Sequence, residues 1–252
     1  MKRILYALLS LGVLAACQTV KPAPDEEKVA KSAEIHYQLG VEAIRLNQLP
    51  KAFEELDSAL ELAPERSDIM DAMGLAWRLR GNLDKAEGYY RKAMRHDPEA
   101  ATYNNYGSLL LQKKAWKKAE KNFRKALDSP TYRNPDTAYT NLGDSLLGQN
   151  KFNEAISAYR QASMLNKHQT ESRLREAEAF DHYHRPEFSL AVYEQLLREQ
   201  PGHRLAMEGM VRLLIKLERK SETMDRLEHF IDVSSDPMDK AWAKEVLHKL
   251  HQ

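Results

Sequence analysis

The feature that most constrains this chain is a repeat with a period of about 34 residues, which extends from about residue 33 to residue 237. In each of the first four periods a glycine stands at the eighth position, an alanine at the twentieth and twenty-seventh, and a large apolar residue at the twenty-fourth. These residues are Gly40, Ala52, Ala59 and Leu56; Gly74, Ala86, Ala93 and Tyr90; Gly107, Ala119, Ala126 and Phe123; and Gly143, Ala155, Ala162 and Tyr159. Small residues at the eighth and twentieth positions would let two helices approach closely, and the large side chain at the twenty-fourth would fill the space beside them.

The ends of the periods and the last part of the chain extend the same pattern. Prolines at 64, 98, 130 and 201 are expected to end the second helix, because proline lacks the N–H and clashes with the preceding turn. The fifth and sixth periods keep the spacing with weaker matches, which are Ala177, Ser189, Tyr193 and Leu196, then Val211, Thr223, Leu227 and Phe230. The final segment places Trp242, Val246, Leu247 and Leu250 on one side of a helix, as a terminal cap requires.

The pattern resembles the tetratricopeptide repeat (TPR) family. That resemblance implies an all-α, right-handed superhelical solenoid of about six helix-turn-helix repeats, at 33–66, 67–99, 100–133, 136–169, 170–203 and 204–237, followed by a capping helix at 238–252. The distance from Gly107 to Gly143 is 36 residues, and a proline-bracketed link at 129–135 accounts for the longer period. We interpret this link as a stiff loop within one array.

The first residues of the chain have the pattern of a targeting signal. Lys2 and Arg3 precede an apolar run at 4–13, which is too short to span a bilayer. The following Leu-Ala-Ala-Cys at 14–17 resembles the lipobox of bacterial lipoproteins. It implies a signal peptide at 1–16, an N-acyl diacylglycerol group on Cys17 and, because Gln18 follows, sorting to the outer membrane. We expect residues 17–32 to form a flexible tether. The alternative is a plain signal peptide with an incidental cysteine.

A protein-binding groove is expected on the concave face of the array. In TPR proteins this face is lined by positions two, five, nine and twelve of the first helix of each repeat. The groove residues predicted from these positions are Tyr37, Val41, Ile44, Leu75, Asn104, Ser108, Leu111, Thr140, Asp144 and Leu147. The basic residues with which some TPR adaptors grip a terminal carboxylate are absent, whereas the apolar members suit an amphipathic helix or an extended apolar segment. The alternative is that some of these side chains pack between neighbouring repeats.

Several other classes of function find little support in the sequence. A single cysteine excludes a disulfide framework and a multi-cysteine zinc site. His182 and His184 lack the i, i+4 spacing of a paired metal site, and no nucleophile elbow or phosphate-binding glycine loop is present. The basic run at 113–125 is best explained as solvated surface, with an acidic partner as the alternative. We therefore expect no enzymatic activity, no cofactor, no metal, no nucleic-acid partner and no small-molecule substrate.

Two stretches inside the repeats resemble a more specific family. They are Asn104-Asn105-Tyr106-Gly107 with Leu111-Gln112, and Tyr139 with Asn141-Leu142-Gly143. Together with the lipobox and the link between repeats three and four, they resemble the type IV pilus pilotin family (PilF/PilW/Tgl-type). This resemblance implies a periplasm-facing outer-membrane lipoprotein that binds secretin subunits and promotes their localisation and multimerisation. The alternative is a TPR lipoprotein that gathers enzymes of cell-wall synthesis or hydrolysis.

Overall fold

The computed structural model describes residues 24–166 and 170–252, and the regular structure within these ranges consists of α-helices only. The thirteen helices are α1 (Pro24–Arg45), α2 (Leu49–Leu62), α3 (Ser67–Leu79), α4 (Leu83–Ala93), α5 (Ala100–Gln112), α6 (Trp116–Leu127), α7 (Pro135–Leu147), α8 (Phe152–Leu165), α9 (Glu171–His182), α10 (Pro186–Glu199), α11 (Arg204–Lys216), α12 (Lys220–Val233) and α13 (Pro237–His251). The first twelve form six antiparallel pairs, which we call units one to six. The predicted all-α solenoid with a terminal helix is confirmed.

The glycine at the eighth position of each of units one to four is required by the close approach of the two helices. A Cβ atom on Gly143 would lie 2.4 Å from the ring of Tyr159, and a Cβ atom on Gly74 would lie 2.8 Å from the ring of Tyr90. Both tyrosines are completely buried. A larger residue at either glycine would force the pair of helices apart, which explains why the repeat pattern has its smallest residue there.

The turn between the two helices of every unit has the same backbone conformation. One residue in each turn has a positive φ, and these residues are Asn47, Gly81, Lys114, Asn150, His184 and Glu218. The amide of the next residue donates a hydrogen bond to a carbonyl five residues earlier, as from Arg185 to Phe180 and from Arg219 to Leu214. This is the hydrogen-bond pattern of a Schellman helix end. His184 therefore has a structural role in its turn.

The first helices of the units form the inner layer of the solenoid. Successive odd-numbered helices contact each other from α1 to α11, whereas contacts between successive even-numbered helices are sparse in the described ranges. The odd-numbered helices are therefore closer together, and their free sides line the concave face. The core lies between the two layers, where Leu56, Tyr90, Phe123 and Tyr159 are completely buried.

The amino end of the array differs from the predicted tether. Helix α1 already begins at Pro24, so residues 24–32 of the predicted flexible tether are helical, and residues 25–31 are exposed. Proline suits the first turn of a helix, and Asp25, Glu26 and Glu27 favour the positive end of the helix dipole. The predicted signal peptide and Cys17 lie outside the described residues. None of the described helices combines the length and apolar character needed to cross a membrane.

The carboxyl end of the array is covered by α13. The ring of Trp242 meets Phe230 edge-on at a centroid distance of 6.0 Å, and the guanidinium of Arg204 lies 3.9 Å from the centre of the same tryptophan ring. Asp239 accepts a hydrogen bond from Arg204 at 3.0 Å. Helix α13 thus shields the apolar side of unit six from solvent.

Candidate protein-binding face

The concave face of units one and two carries the first four predicted groove residues. Tyr37 and Ile44 are partly buried and pack against the core shared by units one and two. Val41 is 39% exposed, and Leu75 is partly buried. Val41 is therefore the most accessible apolar side chain among these four, while Tyr37 and Ile44 serve mainly to join the two units.

The polar groove residues of units three and four are engaged in hydrogen bonds within the protein. The amide nitrogen of Asn141 donates to Oδ1 of Asn104 at 3.2 Å and to Oγ of Ser108 at 3.4 Å. The Ser108 hydroxyl donates to the Asn104 carbonyl at 3.0 Å, and the hydroxyl of buried Thr140 donates to the Asp136 carbonyl at 3.1 Å. The two bonds from Asn141 join α5 to α7, and together these hydrogen bonds leave Asn104 and Thr140 little capacity to bind a partner.

The remaining three groove residues, Leu111, Asp144 and Leu147, line one cleft. It has a volume of about 440 Å³ and lies where units three, four and five meet. Its other walls are Trp116, Gly148, Asn150, Phe152 and His182. Four of these eight lining residues have large apolar side chains, so the cleft suits an apolar side chain of a partner. We call it the central cleft.

The aromatic walls of the central cleft are held by packing from behind. A Cβ atom on Gly148 would lie 2.5 Å from the indole of Trp116, so this glycine allows the tryptophan to approach α7 closely. The ring of Phe152 stacks on Tyr183 at a centroid distance of 5.3 Å. A cleft whose walls are fixed in advance loses little conformational entropy on binding.

The carboxylate at the rim of the central cleft is also fixed. Oδ1 of Asp144 accepts a hydrogen bond from the Tyr159 hydroxyl at 2.8 Å, and Nε of Arg175 lies 3.9 Å from the same oxygen. Burial raises the pKa of Asp144, although the hydrogen bond and Arg175 oppose this effect. Asp144 therefore supplies a positioned polar edge beside Leu147.

A second carboxylate on the inner face belongs to Asp71, which stands at a concave position but is not among the predicted groove residues. Burial raises its pKa to about 7, only partly opposed by a hydrogen bond from Asn105 to Oδ2 at 2.8 Å. Oδ1 is buried and accepts no hydrogen bond from a described residue. The pKa of Tyr37 and that of Tyr132 are each raised to about 12, mainly by burial and further by nearby carboxylates that include Asp71. The sequence signal that could have identified Asp71 is an acidic residue at position five of a repeat, which is one of the concave positions.

The concave face becomes charged beyond the central cleft. A cleft of about 360 Å³ in units five and six is lined by side chains that include Glu178, Asp181, Tyr193 and Arg212. Arg212 lies 3.9 Å from Glu178, and Lys216 binds Asp181 at 2.7 Å. This second cleft is therefore charged, in contrast to the apolar central cleft.

No three His, Cys, Asp or Glu side chains within 24–166 and 170–252 are grouped as a metal site would require.

The basic run at 113–125 is partly neutralised, since Lys113 binds Asp84 and Glu87 while Arg124 binds Glu120 and Glu154. Lys151 and Gln149 also donate hydrogen bonds to the carboxylate of Glu120. Burial raises the pKa of that carboxyl, but the hydrogen bonds outweigh it and lower the pKa to about 2.

Comparisons with known proteins agree with this architecture. One family model of the tetratricopeptide repeat matches residues 37–101 and 140–204, and another matches residues 98–167. In sequence, the chain is 26% identical to the type IV pilus assembly protein PilF of Pseudomonas aeruginosa over 169 residues, which cover 66% of this chain and 67% of that protein. It is 33% identical to BBSome complex member BBS4 of Bos taurus over 134 residues, which cover 52% of this chain and 25% of that protein.

Solved structures give the same result for the fold. Pseudomonas aeruginosa PilF superposes with a TM-score of 0.69 at 19% identity, over 87% of this chain and 99% of that chain. PilW, described as a widely conserved type IV pilus biogenesis factor, superposes with a TM-score of 0.72 at 17% identity, over 83% and 96% of the two chains. The predicted resemblance to type IV pilus TPR proteins is confirmed by the sequence match to PilF. The chain therefore belongs to the tetratricopeptide repeat family and is homologous to PilF.

Proposed function

We propose that this protein is an outer-membrane lipoprotein scaffold that binds secretin subunits and promotes their multimerisation for type IV pilus biogenesis. The similarity to PilF supports the pilus context. The observation that carries the binding step is the central cleft, where Leu111, Leu147 and aromatic walls form an apolar recess at the end of the inner-face groove.

In this proposal the central cleft receives an apolar side chain of a secretin subunit before the multimer closes. Such a segment would otherwise be exposed to water and prone to aggregate. The rigid walls provided by Trp116 and Phe152 favour binding, and the polar edge at Asp144 orients the bound segment. The protein then acts by covering a surface, without a chemical step.

A lipid on Cys17 would supply the second part of the mechanism. Anchoring restricts the protein to the membrane at which its client assembles, so the effective concentration of the groove near that client rises. Several acyl chains hold a protein firmly at a bilayer, whereas one chain binds only marginally. Helix α1 begins seven residues after Cys17, so the tether between lipid and array is short.

The binding step is tested by Leu147→Asp in cells that lack the wild-type gene, with secretin multimers measured by immunoblot after mild detergent extraction. We expect the multimers to be lost, because a charged side chain in the central cleft prevents an apolar group from entering. The matched control is Leu205→Asp, since Leu205 is a concave position of unit six that is 58% exposed and lies outside the cleft. Equal protein abundance and thermal stability of the two variants exclude misfolding as the cause.

The anchoring step is tested separately by Cys17→Ser. We expect the protein to be released from the membrane fraction, and the secretin to remain monomeric or misplaced. Mass spectrometry of the wild-type amino terminus should find acyl groups on Cys17. Unchanged secretin multimers in both variants, or co-purification of cell-wall enzymes in place of a secretin, would overturn the proposal.

A further inference from the structure

The outer side of unit three carries a concentration of positive charge that the inner-face groove does not use. Lys117, Lys118 and Lys121 on α6 are exposed, and they have no ion-pair partner among the residues that the structure describes. This distinguishes them from Lys113 and Arg124, which bind carboxylates of neighbouring units. Clustered cations without counter-charges repel one another, so an acidic ligand would relieve the repulsion.

These lysines lead towards a cleft at the carboxyl end of α6. Spacings of three and four residues separate Lys118, Lys121 and Lys125 along α6. The three side chains therefore lie on one side of the helix, over a length of about 10 Å. Lys125 lines a cleft of about 680 Å³ between the start of α5 and the connection at 128–134. We call it the link cleft.

The link cleft has aromatic and cationic walls. Tyr103 and Tyr132 line it, and the ammonium of Lys125 lies 5.0 Å from the centre of the Tyr103 ring. Arg133 adds a second cation, and Glu99 is the one carboxylate among the lining residues. The connection at 128–134 forms one wall of the cleft, and it is longer than the corresponding connections at 63–66, 94–99 and 200–203. The same feature appears in the sequence as the 36-residue spacing between Gly107 and Gly143.

We infer that the lysine side of α6 and the link cleft together form a docking site for an acidic, extended segment of a partner protein, with an aromatic side chain of that segment inserted between Tyr103 and Tyr132. Charge complementarity selects the acidic residues, and the size and aromatic walls of the cleft select the anchor. A flat anionic bilayer would be attracted by the lysines alone, whereas an aromatic side chain of a protein segment can also contact the two tyrosines of the cleft. This inference is independent of the central cleft and of the secretin proposal.

The test uses the full chain and a fluorescein-labelled peptide of alternating aspartate and glutamate with a single phenylalanine near its centre, and measures binding by fluorescence anisotropy. The triple variant of Lys117, Lys118 and Lys121 to Gln should weaken binding roughly tenfold. The matched control changes Lys51, Lys220 and Lys244 to Gln, which removes the same charge from three other exposed positions without ion-pair partners in the described residues. The control should bind almost as tightly as wild type.

The anchor is tested by filling the link cleft. Ala101→Trp should weaken binding of the peptide, whereas Thr137→Trp, at the equivalent exposed position of α7, should not. A peptide with alanine in place of phenylalanine should bind weakly to wild type and be insensitive to Ala101→Trp. Equal loss of affinity in the two lysine triple variants, or an unchanged affinity in Ala101→Trp, would overturn the inference. Equally tight binding of vesicles that contain phosphatidylglycerol, with the same response to Ala101→Trp, would do so too.

Discussion

At the scale of single residues, the repeat glycines show what a short sequence pattern can specify. Gly40, Gly74, Gly107 and Gly143 each face the large side chain sixteen residues later, so both members of each pair could be identified from the sequence. A Cβ atom on Gly209 would lie 2.4 Å from the ring of Tyr193 in the preceding unit, and this close approach falls outside the repeat consensus. The glycines within one unit were predictable, whereas a contact between units depends on how consecutive units are oriented.

The close approach at Gly143 leads to a stability prediction. Gly143→Ala should lower the free energy of unfolding by about 1–3 kcal/mol, because the new methyl group would overlap the fixed ring of Tyr159. Gly88→Ala on α4 is the control, since a Cβ atom there meets nothing within 4 Å. It should raise the free energy of unfolding by about 0.5–1 kcal/mol through helix propensity alone. Urea denaturation measures both, and destabilisation of equal size in the two variants would contradict the packing argument.

Asp71 leads to a prediction of pH dependence. Its pKa rises from 3.8 to about 7 in the folded protein, so the unfolded chain releases this proton at lower pH. The contribution of Asp71 to stability therefore falls as the pH rises from about 4 to about 7, by roughly 1–4 kcal/mol. Asp71→Asn removes this titration while its amide oxygen still accepts the hydrogen bond from Asn105. The difference in unfolding free energy between Asp71→Asn and wild type should grow over that pH range, and parallel pH profiles would contradict the assignment.

At the scale of helices, α1 shows where a repeat pattern stops being informative. Positions three and seven of the first helix face the preceding unit in units two to six, and their side chains are buried or partly buried there, as with Ile69 and Met73. In unit one the same positions hold Ile35 and Leu39, which are 52% and 41% exposed, since α1 is the first of the described helices and no other described helix covers this side of it. The pattern predicted the helix pair but not the start of α1, because local helix preference and not packing extends it to Pro24.

These equivalent positions permit a matched comparison. Met73→Gln should destabilise the protein by about 2–5 kcal/mol, because it places an amide in a site that is 2% exposed. Leu39→Gln, one repeat earlier, should change the free energy of unfolding by less than about 1 kcal/mol. Guanidinium denaturation followed by circular dichroism measures the difference. A large effect of Leu39→Gln would show that another part of the chain covers α1.

The connections between units limit prediction in a similar way. The 36-residue spacing indicated a longer link after unit three, but it did not reveal that Tyr132 and Arg133 border a cleft with the start of α5. The predicted groove positions lie on the inner helices, but the side chains of Asn104 and Thr140 form hydrogen bonds within the protein. Position within a repeat specifies the side of a helix, whereas exposure on that side depends on the neighbours of each residue.

At the scale of the whole molecule, stability should be distributed along the array rather than shared uniformly. Each unit contacts the units beside it, and the buried apolar residues form successive clusters from α1 to α13. In such a solenoid, the stability of one unit depends on its own packing and on its interfaces with adjacent units. The two ends differ, since α13 covers unit six while the side chains of Ile35 and Leu39 remain exposed at unit one.

Trp242→Ala tests whether a local change at one end stays local. The substitution removes the ring that contacts Phe230 and Arg204, and it should cost about 3 kcal/mol in the opening of the carboxyl-terminal units. Hydrogen exchange measured by mass spectrometry should then become faster in α11–α13 while α3–α6 keep wild-type rates. Met238→Ala on the same helix is the control, because Met238 is 78% exposed and its loss should leave exchange unchanged throughout. If Trp242→Ala accelerated exchange equally in every unit, the array would unfold as one cooperative block. A client bound at the central cleft would then stabilise both ends of the protein, instead of only the units that contact it.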